Sequence, residues 1–282
     1  MGRSNSNIEG ISIFSRIFLY LLIIVGAFIM IVPFMWMFVT SLKEEGQVFT
    51  WPPQWIPKPV SIHSYISIFN MMPLIRYILN TIFVSTTVTI GTLFFSSLAG
   101  FAFSKYEFPG RDLIFFILLS TLMIPGQVTL IPVFLIVKNL GWLNNYLALI
   151  VPALGDVFGI FLMRQFISTI PTELIDAARI DGCSEFRIYG QILLPLIKPA
   201  LATLGIFVFM GQWNSLFWPL IVINEESMKT LQLGLAGLRG TWMSDWSATM
   251  AGATVATIPI IVIFLFLQKY FIEGLTLTGM KA

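Results

Sequence analysis

The chain has 282 residues, of which 57% are hydrophobic and only 11% are charged. Soluble globular domains carry about 25% charged residues, so this composition excludes a water-soluble globular protein, a disordered chain and a nucleic-acid-binding protein. One cysteine (Cys183) and one histidine (His63) exclude an internal disulfide, a Cys/His zinc site and a two-histidine metal centre, and a net charge of +2 is too small to indicate an anionic partner.

Six apolar segments are long enough to cross a bilayer, which takes about 20 residues each. They are 17–42, 77–104, 113–137, 146–163, 199–223 and 246–268. The sequence therefore predicts an all-α polytopic membrane protein in which residues 1–282 form a single transmembrane domain. The first segment is longer than the apolar region of a signal peptide and no small-x-small site follows it, so we expect an uncleaved span.

An even number of spans places both termini on one side of the membrane, and the lysines and arginines indicate which side. With the termini inside, ten basic residues fall in inside segments: Arg3, Arg16, Lys105, Arg111, Arg164, Arg179, Arg187, Lys198, Lys269 and Lys281. Six fall in outside segments: Lys43, Lys58, Arg76, Lys138, Lys229 and Arg239. This bias predicts that both termini are cytoplasmic.

Two connections are predicted to lie outside, at 43–76 and 224–245. The first contains Trp51-Pro52-Pro53-Gln54-Trp55-Ile56-Pro57, in which proline opposes a helix and tryptophan suits a membrane interface. It is either a rigid interfacial connector or a contact surface for an external partner.

The inside connection 164–198 is 35 residues long, far more than a hairpin needs, and it carries eight of the chain's charges. Its sequence predicts two short helices with a turn between them. Glu173 and Asp176 fall in the first turns of the first helix, where acids are favoured, and Asp181-Gly182 ends it. The spacing of Leu174, Ala177 and Ala178 predicts a small apolar stripe.

Ser184 is positioned to cap the second helix, and we expect Phe186 and Tyr189 to share one face of it. Pro195 and Pro199 mark the entry to the fifth span. The first helix is either a compact knob for a partner's groove or an amphipathic helix on the lipid surface.

These residues also carry a family motif. The pattern consists of Asp176-Ala177-Ala178, then Gly182 after three residues, Ile192 after nine more, and Leu194-Pro195 after one more. It resembles the EAA signature of ABC importer permeases, with aspartate where the family usually has glutamate. Further stretches resemble the carbohydrate, maltose-type branch: Ser120–Pro132 around Met123-Ile124-Pro125-Gly126-Gln127, Phe161–Phe166, Gly211–Asn214 with Trp218-Pro219-Leu220, and Met250–Ala253.

The resemblance implies a type I importer fold and a division of labour between subunits. This chain and a second homologous permease would form the pore in the cytoplasmic (inner) membrane of a bacterium or archaeon, surrounded by lipid. Two cytoplasmic ATPase subunits would bind ATP and Mg²⁺, and an extracytoplasmic solute-binding protein would deliver the substrate. ATP-driven closure would produce alternating access, so the chain itself would be a transport subunit and not an enzyme.

The same resemblance assigns a coupling helix that docks on the ATPase. Asp176, Ala177, Ala178 and Gly182 match the motif and inherit that role, while the flanking residues are assigned more loosely: Glu173, Arg179, Asp181 and Phe186. One part of this assignment, the binding of ATP by other subunits, is also supported by the residues without the resemblance. The chain has no Gly-Lys pair and therefore no phosphate-binding P-loop, so we expect no cofactor in this chain.

Candidates for the substrate path lie inside the predicted spans. Asp156 is the only ionisable residue there, and such residues are functional candidates by default; it either faces a polar cavity or is satisfied at a helix break beside Gly155 and Gly159. Gln127 and the segment Gln212-Trp213-Asn214 combine side-chain amides with an aromatic ring, as sugar-binding sites do. The alternative is that these polar side chains form hydrogen bonds between packed membrane helices.

The alternatives carry less support. A glycerol-phosphate or other polyol importer of the same branch has the same architecture. An ion-coupled secondary transporter would be expected to show inverted repeats and several intramembrane charges. An intramembrane enzyme would need more catalytic or metal-binding side chains than this chain places in its spans, so no catalytic and no metal-binding residue is predicted.

Overall fold

A computed structural model describes residues 13–241 and 245–279. Within these residues the chain forms helices and no β-strand, which confirms the predicted all-α fold. The helices are α1 Ile13–Ser41, α2 His63–Met71, α3 Leu74–Lys105, α4 Arg111–Thr121, α5 Gly126–Asn139, α6 Tyr146–Ile150, α7 Val157–Ile167, α8 Glu173–Ile180, α9 Glu185–Arg187, α10 Leu194–Leu196, α11 Lys198–Trp213, α12 Phe217–Val222, α13 Leu231–Thr241 and α14 Trp246–Gly279. A 3₁₀-helix at Val151–Leu154 joins α6 to α7, and a π-helix at Ile188–Leu193 joins α9 to α10.

Four of the described helical segments are long and apolar enough to cross a membrane, and counting each bent helix pair as one span gives up to six. The bent pairs are α4 with α5, at 99°, and Glu185–Leu196 with α11, at 80°. Proline explains both bends, because it lacks a backbone N–H and its ring clashes with the carbonyl four residues before it. Pro125 follows α4, and Pro199 is in the first turn of α11.

The helix bounds refine three predicted boundaries. Helix α7 continues to Ile167, so the predicted connection 164–198 begins inside a helix. The predicted fifth span 199–223 is interrupted after Trp213 and resumes in α12. The predicted sixth span 246–268 is part of a longer helix, α14. The prediction that residues 1–282 form one domain stays a prediction.

The chain divides into two compact units, and the first comprises the residues up to Met72 together with Leu238–Val255. Within it, Ser41 at the end of α1 and Tyr65 of α2 share a hydrogen bond of 2.7 Å between their hydroxyls. No helix of more than three residues forms between α1 and α2, as the prolines there predict, and Trp51 is 90% exposed.

The second unit comprises Pro73–Gly237 and the chain from Ala256 onward, and its centre is a parallel pair of helices, α3 and α7. Gly100 of α3 allows the close approach. A Cβ there would lie 2.6 Å from Cβ of Met163 and 2.8 Å from the backbone N of Arg164, so only glycine fits against the α7 backbone. Helix α11 packs on both α3 and α7.

The N-terminal end of α3 is held by a polar network within the second unit. The Asn80 side-chain amide donates to the carbonyls of Ser227, at 3.0 Å, and Lys229, at 2.9 Å. Its oxygen accepts from the Tyr146 hydroxyl at 2.8 Å. This network ties the connection between α12 and α13 to α3, at the end opposite to the predicted coupling loop.

Candidate functional site

The first predicted helix of the 164–198 connection is present as α8, Glu173–Ile180. Glu173 and Asp176 are in its first turn and Arg179 is in its last, an order that complements the helix dipole. Gly182 follows with a φ of 78°, which confirms the predicted left-handed glycine that ends the helix.

The predicted stripe of Leu174, Ala177 and Ala178 is wrong in its composition. Ile175 and Ala178 are buried, at 1% and 6% exposure, whereas Leu174 and Ala177 are exposed. Residues three apart share a helix face, and each residue is rotated by about 100° from the next, so the pair 174/177 lies beside the buried pair 175/178. Helix α8 therefore has two apolar faces, one packed and one free.

The packed face belongs to the main hydrophobic core of the second unit. Ile175 and Ala178 lie in one cluster of buried side chains with residues of three long helices. These partners are Phe101 of α3, Met163 and Ile167 of α7, and Ala200 and Leu204 of α11. The small helix is thus embedded in the same core that holds the membrane helices together.

Two strongly exposed apolar side chains lie at the end of α8 and in α9. Ile180 is 87% exposed and Phe186 is 85% exposed, while Leu174 is 48% exposed. We name Leu174, Ala177, Ile180 and Phe186 the outer face. Ile180 was not among the predicted site residues; its spacing of three from Ala177 was the signal that could have found it.

The expectation that Phe186 and Tyr189 share one helix face is wrong. Tyr189 is 9% exposed and its hydroxyl lies 2.7 Å from the Ser97 hydroxyl, whereas Phe186 points to solvent. The cause is the π-helix that begins at Ile188. Its wider turn changes the angle between residues three apart and rotates Tyr189 inward. Ser184 occupies the predicted N-cap of α9, but its side chain makes no capping hydrogen bond.

A charged cluster joins the two halves of the loop to the end of α3. The Arg179 guanidinium contacts Glu185 through Nε–Oε1 at 2.8 Å and Nη2–Oε2 at 3.4 Å, and Asp176 through Nη1–Oδ1 at 3.1 Å. The same Glu185 carboxylate accepts a hydrogen bond from the hydroxyl of Tyr106, which is the C-cap residue of α3. Arg179 also lies 5.4 Å from the centre of the Tyr106 ring. We name Tyr106, Arg179 and Glu185 the loop clamp.

The electrostatics of the loop clamp favour its charged form. The hydrogen bond from Arg179, followed by that from Tyr106, holds the pKa of Glu185 below its usual value. The Glu185 carboxylate in turn raises the pKa of Arg179. Burial is the largest cause that raises the pKa of Tyr106, followed by the hydrogen bond to Glu185.

A separate anchor holds the segment that enters α8. The Lys105 ammonium donates to the Ile170 carbonyl and, at 3.3 Å, to the Thr172 hydroxyl. Lys105 is the last residue of α3 and Thr172 is the N-cap of α8. The end of α3 is therefore bonded to the beginning of α8 as well as to its end.

The other predicted coupling residues lie on the accessible side of this arrangement. Glu173, Asp176, Asp181 and Gly182 are exposed, and Arg179 is partly exposed. The motif therefore contributes to both sides of the loop, because Ala178 packs inward while Ala177 faces outward.

The predicted substrate-path residues are not brought into one group. Asp156 is the N-cap of α7, and its Oδ1 accepts from the backbone N–H of Phe158 at 3.1 Å. Gln127 is exposed in the first turn of α5, after the bend at Pro125. Among the described residues, no hydrogen bond joins Asp156, Gln127 and Asn214.

The Gln212-Trp213-Asn214 segment has a divided role. Trp213 is only 1% exposed, and its indole N–H donates to the Ala256 carbonyl at 3.0 Å, so its ring packs within the chain. Asn214 is exposed, and its Oδ1 lies 3.5 Å from Nε2 of Gln232. Sequence reasoning missed Gln232, because a single glutamine in a predicted loop has no signal of its own.

Known proteins are similar to this chain over most of its length. Residues 92–276 match the family model described as binding-protein-dependent transport system inner membrane component. The chain is 37% identical over 226 residues to the arabinooligosaccharides transport system permease protein AraQ of Halalkalibacterium halodurans, covering 80% of this chain and 81% of the relative. It is 33% identical over 277 residues to the sn-glycerol-3-phosphate transport system permease protein UgpE of Salmonella typhi, covering 95% and 97%.

A solved structure extends the likeness to the fold. A chain of a bacterial ABC transporter involved in the import of the acidic polysaccharide alginate matches with a TM-score of 0.79 and 25% identity, over 96% of this chain and 99% of that one. The family model covers well over half of the sequence and includes α8, the loop clamp and the outer face. The chain therefore belongs to the family of inner-membrane permease subunits of binding-protein-dependent ABC importers.

Proposed function

We propose that this chain forms, with a second homologous permease, the pore of an ABC importer for a sugar or oligosaccharide, with both termini in the cytoplasm. Two ATPase subunits supply the energy from the cytoplasmic side and a solute-binding protein delivers the substrate from the other. The observation that carries the proposal is the two-sided packing of α8, with Ile175 and Ala178 in the core and Ala177 and Ile180 exposed.

This packing supports a coupling role for the loop. An exposed apolar surface outside the membrane-crossing helices marks an interaction site. The opposite face of α8 is buried against α3, α7 and α11. A displacement of the outer face by a docked partner therefore moves those helices with it. The loop clamp and Lys105 add polar bonds along the same route.

The exposed amides of Gln127 and Asn214, with the partly exposed amide of Gln232, support a neutral, hydroxyl-rich substrate. Gln127, Asn214 and Gln232 offer donors and acceptors without charge, and the ionisable side chain within the predicted spans is an acid, Asp156. A phosphorylated polyol is the second candidate, because a relative is named for glycerol phosphate. No lysine or arginine lies within the predicted spans of this chain to balance a phosphate, which favours the sugar.

The docking proposal is tested by a matched pair of substitutions at exposed isoleucines outside the predicted spans. Ile180 is 87% exposed on the outer face, and Ile56 is 73% exposed in the connection between α1 and α2. We expect Ile180→Asp to weaken co-purification of the ATPase subunits at least about tenfold, as loss of a central apolar contact does. Ile56→Asp should leave it unchanged. Equal recovery of ATPase with Ile180→Asp and wild type would overturn the docking surface.

The substrate is tested in proteoliposomes that contain the complete importer and its binding protein. We expect ATP-dependent uptake of a labelled neutral oligosaccharide, and no competition by an excess of glycerol phosphate. Uptake of glycerol phosphate with no uptake of oligosaccharide would replace the sugar proposal with the polyol-phosphate one. Asn214→Ala should reduce sugar uptake more than it reduces assembly of the complex.

A further inference from the structure

A small polar cavity lies at the end of the second unit that carries α8. Its volume is about 240 Å³ and it is lined by Phe103, Ser104, Arg111, Arg164, Gln165 and Ser168. These residues come from the last turn of α3, the first residue of α4 and the end of α7. Because all three helices belong to candidate membrane spans, the cavity lies where their apolar stretches end and lipid headgroups begin.

Two guanidinium groups meet beside this cavity and share one carboxylate. Asp112 Oδ1 lies 3.1 Å from Nε of Arg111 and 3.2 Å from Nη2 of Arg164. Arg111 also donates to Oδ2 of Asp112 at 3.2 Å and to the Tyr106 carbonyl at 3.3 Å. Asp112 is shared by both arginines, and Glu107 is a second carboxylate close to Arg111, so the charge of Arg164 is less compensated than that of Arg111. Both arginine side chains are about one-quarter exposed, at 26% and 27%.

Arg164 is held in place and still has donors to offer. Its Nε donates to the Phe103 carbonyl at 3.2 Å, and its guanidinium lies 3.9 Å from the centre of the Phe115 ring. A guanidinium carries five N–H groups. Nη1 of Arg164 has no acceptor among the described residues. The side chain is therefore preorganised to receive a further acceptor.

The sign of the neighbouring charges separates this cavity from the one next to it. The adjacent cavity, of about 290 Å³, also contains Arg111 but is lined by the carboxylates of Glu107 and Asp112. The 240 Å³ cavity has two arginines, a glutamine and two serines in its lining and no carboxylate. The hydroxyl of Ser104 is shielded from solvent and has no partner among the described residues. An anion is favoured in this cavity and opposed in its neighbour.

An exposed apolar face leads away from Arg111 along α4. Leu113, Phe116 and Ile117 are 65%, 65% and 57% exposed, and their spacing places them on one side of the helix. A lipid whose headgroup occupies the cavity can lay its acyl chains along this face. A free phosphate ion would gain nothing from it, so the combination of charge and apolar surface favours a lipid.

We propose that this cavity binds the phosphate of an anionic glycerophospholipid, with Arg111 and Arg164 as the charged contacts and the α4 face along the acyl chains. Basic pockets between membrane helices at the cytoplasmic surface bind such headgroups. A zwitterionic headgroup is disfavoured, because its cation would lie near the two arginines that line the cavity. An occupied site would bridge the ends of α3, α4 and α7 next to the coupling loop.

The test uses the full chain, purified in detergent, and native mass spectrometry with equal amounts of phosphatidylglycerol and phosphatidylcholine. We expect wild type to retain phosphatidylglycerol preferentially and Arg111→Gln to reduce that preference about fivefold, the loss expected for one basic residue at a membrane surface. Arg111→Lys should recover part of it. Lys138→Gln, which removes one exposed positive charge from the end of α5, is the control and should match wild type.

A second variant keeps both arginines and so tests the site without removing their bonds. Gln165 is exposed and lines the cavity, and Gln165→Glu places a carboxylate where the phosphate would lie. We expect it to abolish the preference. Unchanged phosphatidylglycerol retention in both Arg111→Gln and Gln165→Glu would overturn the site.

A third measurement distinguishes the lipid from a soluble anion. In nanodiscs of phosphatidylcholine alone, we expect millimolar inorganic phosphate to leave the melting temperature of wild type unchanged. Stabilisation by phosphate that disappears in Arg111→Gln would assign the cavity to a free anion and overturn the lipid proposal. None of these measurements depends on transport, so their outcome is independent of the proposed substrate.

Discussion

The guanidinium of Arg179 and the carboxylate of Glu185 form a two-bond contact, with Nε–Oε1 at 2.8 Å and Nη2–Oε2 at 3.4 Å, across the turn that contains Gly182. The Tyr106 hydroxyl donates to the same carboxylate from the end of α3. A single acid thus joins the last turn of α8, the start of α9 and the end of a membrane helix.

We expect Glu185→Gln to weaken coupling more than it weakens the fold. The pair is partly exposed, at 34% and 47%, and exposed pairs contribute only about 0.2–1 kcal/mol to stability. The glutamine amide accepts weaker hydrogen bonds from Arg179 and Tyr106 than the carboxylate does. Helix α8 should therefore shift relative to α3 when the ATPase subunits move. The measurement is the ATPase activity of the assembled importer stimulated by its loaded binding protein, which should fall several-fold.

The control for that variant is Glu107→Gln, which makes the same charge change in the connection between α3 and α4. The Glu107 carboxylate accepts no hydrogen bond within the described residues. Its stimulated ATPase activity should equal that of wild type. Stimulated ATPase activity equal to that of wild type in Glu185→Gln would show that the loop clamp is structural only.

Gly182→Ala tests the turn that ends α8. The glycine has a φ of 78° and no atom within 4 Å of its added Cβ, so the cost of alanine is the cost of the left-handed backbone alone, about 1–2 kcal/mol. The melting temperature of the purified chain should fall. Gly190→Ala is the matched control, because Gly190 has equally open surroundings and its φ is not positive. If both variants melt alike, the backbone conformation of Gly182 is not a constraint.

Adjacent alanines separate the two faces of α8. Ala178→Leu adds volume to the core and should destabilise the chain by about 1–3 kcal/mol, seen as a lower melting temperature. Ala177→Leu adds the same atoms to the exposed side and should leave the melting temperature unchanged while impairing recovery of the ATPase subunits. The reverse pattern would contradict the assignment of the inner and outer faces.

Asp156→Asn tests whether the acid acts as a helix cap or as a charge. Its Oδ1 accepts from the Phe158 N–H, a bond that asparagine can replace because the two residues cap helices about equally well. We expect Asn to retain sugar uptake and Ala to destabilise the chain by about 1 kcal/mol. Loss of uptake in a normally assembled Asp156→Asn importer would instead place the carboxylate in the substrate path.

The sequence predicted best those features that depend on neighbours along the chain. The acids at 173 and 176 and the glycine turn at 182 arise from backbone chemistry within a few residues, and all are found in the structure. The face shared by Phe186 and Tyr189 was predicted from α-helical spacing and failed where the helix widened into a π-helix. Periodicity is reliable only while the helix type stays constant.

Contacts between distant segments were outside the reach of that reasoning. Tyr106 and Glu185 are 79 positions apart, and Asp112 and Arg164 are 52 apart. Each side chain alone is an ordinary surface residue at the end of a helix. Their meeting depends on the parallel packing of α3 and α7, which Gly100 permits.

The sequence by itself determined that this protein crosses a membrane, that eight of its charged residues lie in one loop and that this loop carries the signature of an ABC importer permease. Apolar length and motif spacing are linear properties, so the chain alone expresses them. Only the tertiary structure decided which side of α8 is buried and which is free. That choice follows from how Ile175 and Ala178 fit the core formed by α3, α7 and α11. Packing complementarity between helices that are distant in the sequence cannot be predicted from any one segment alone.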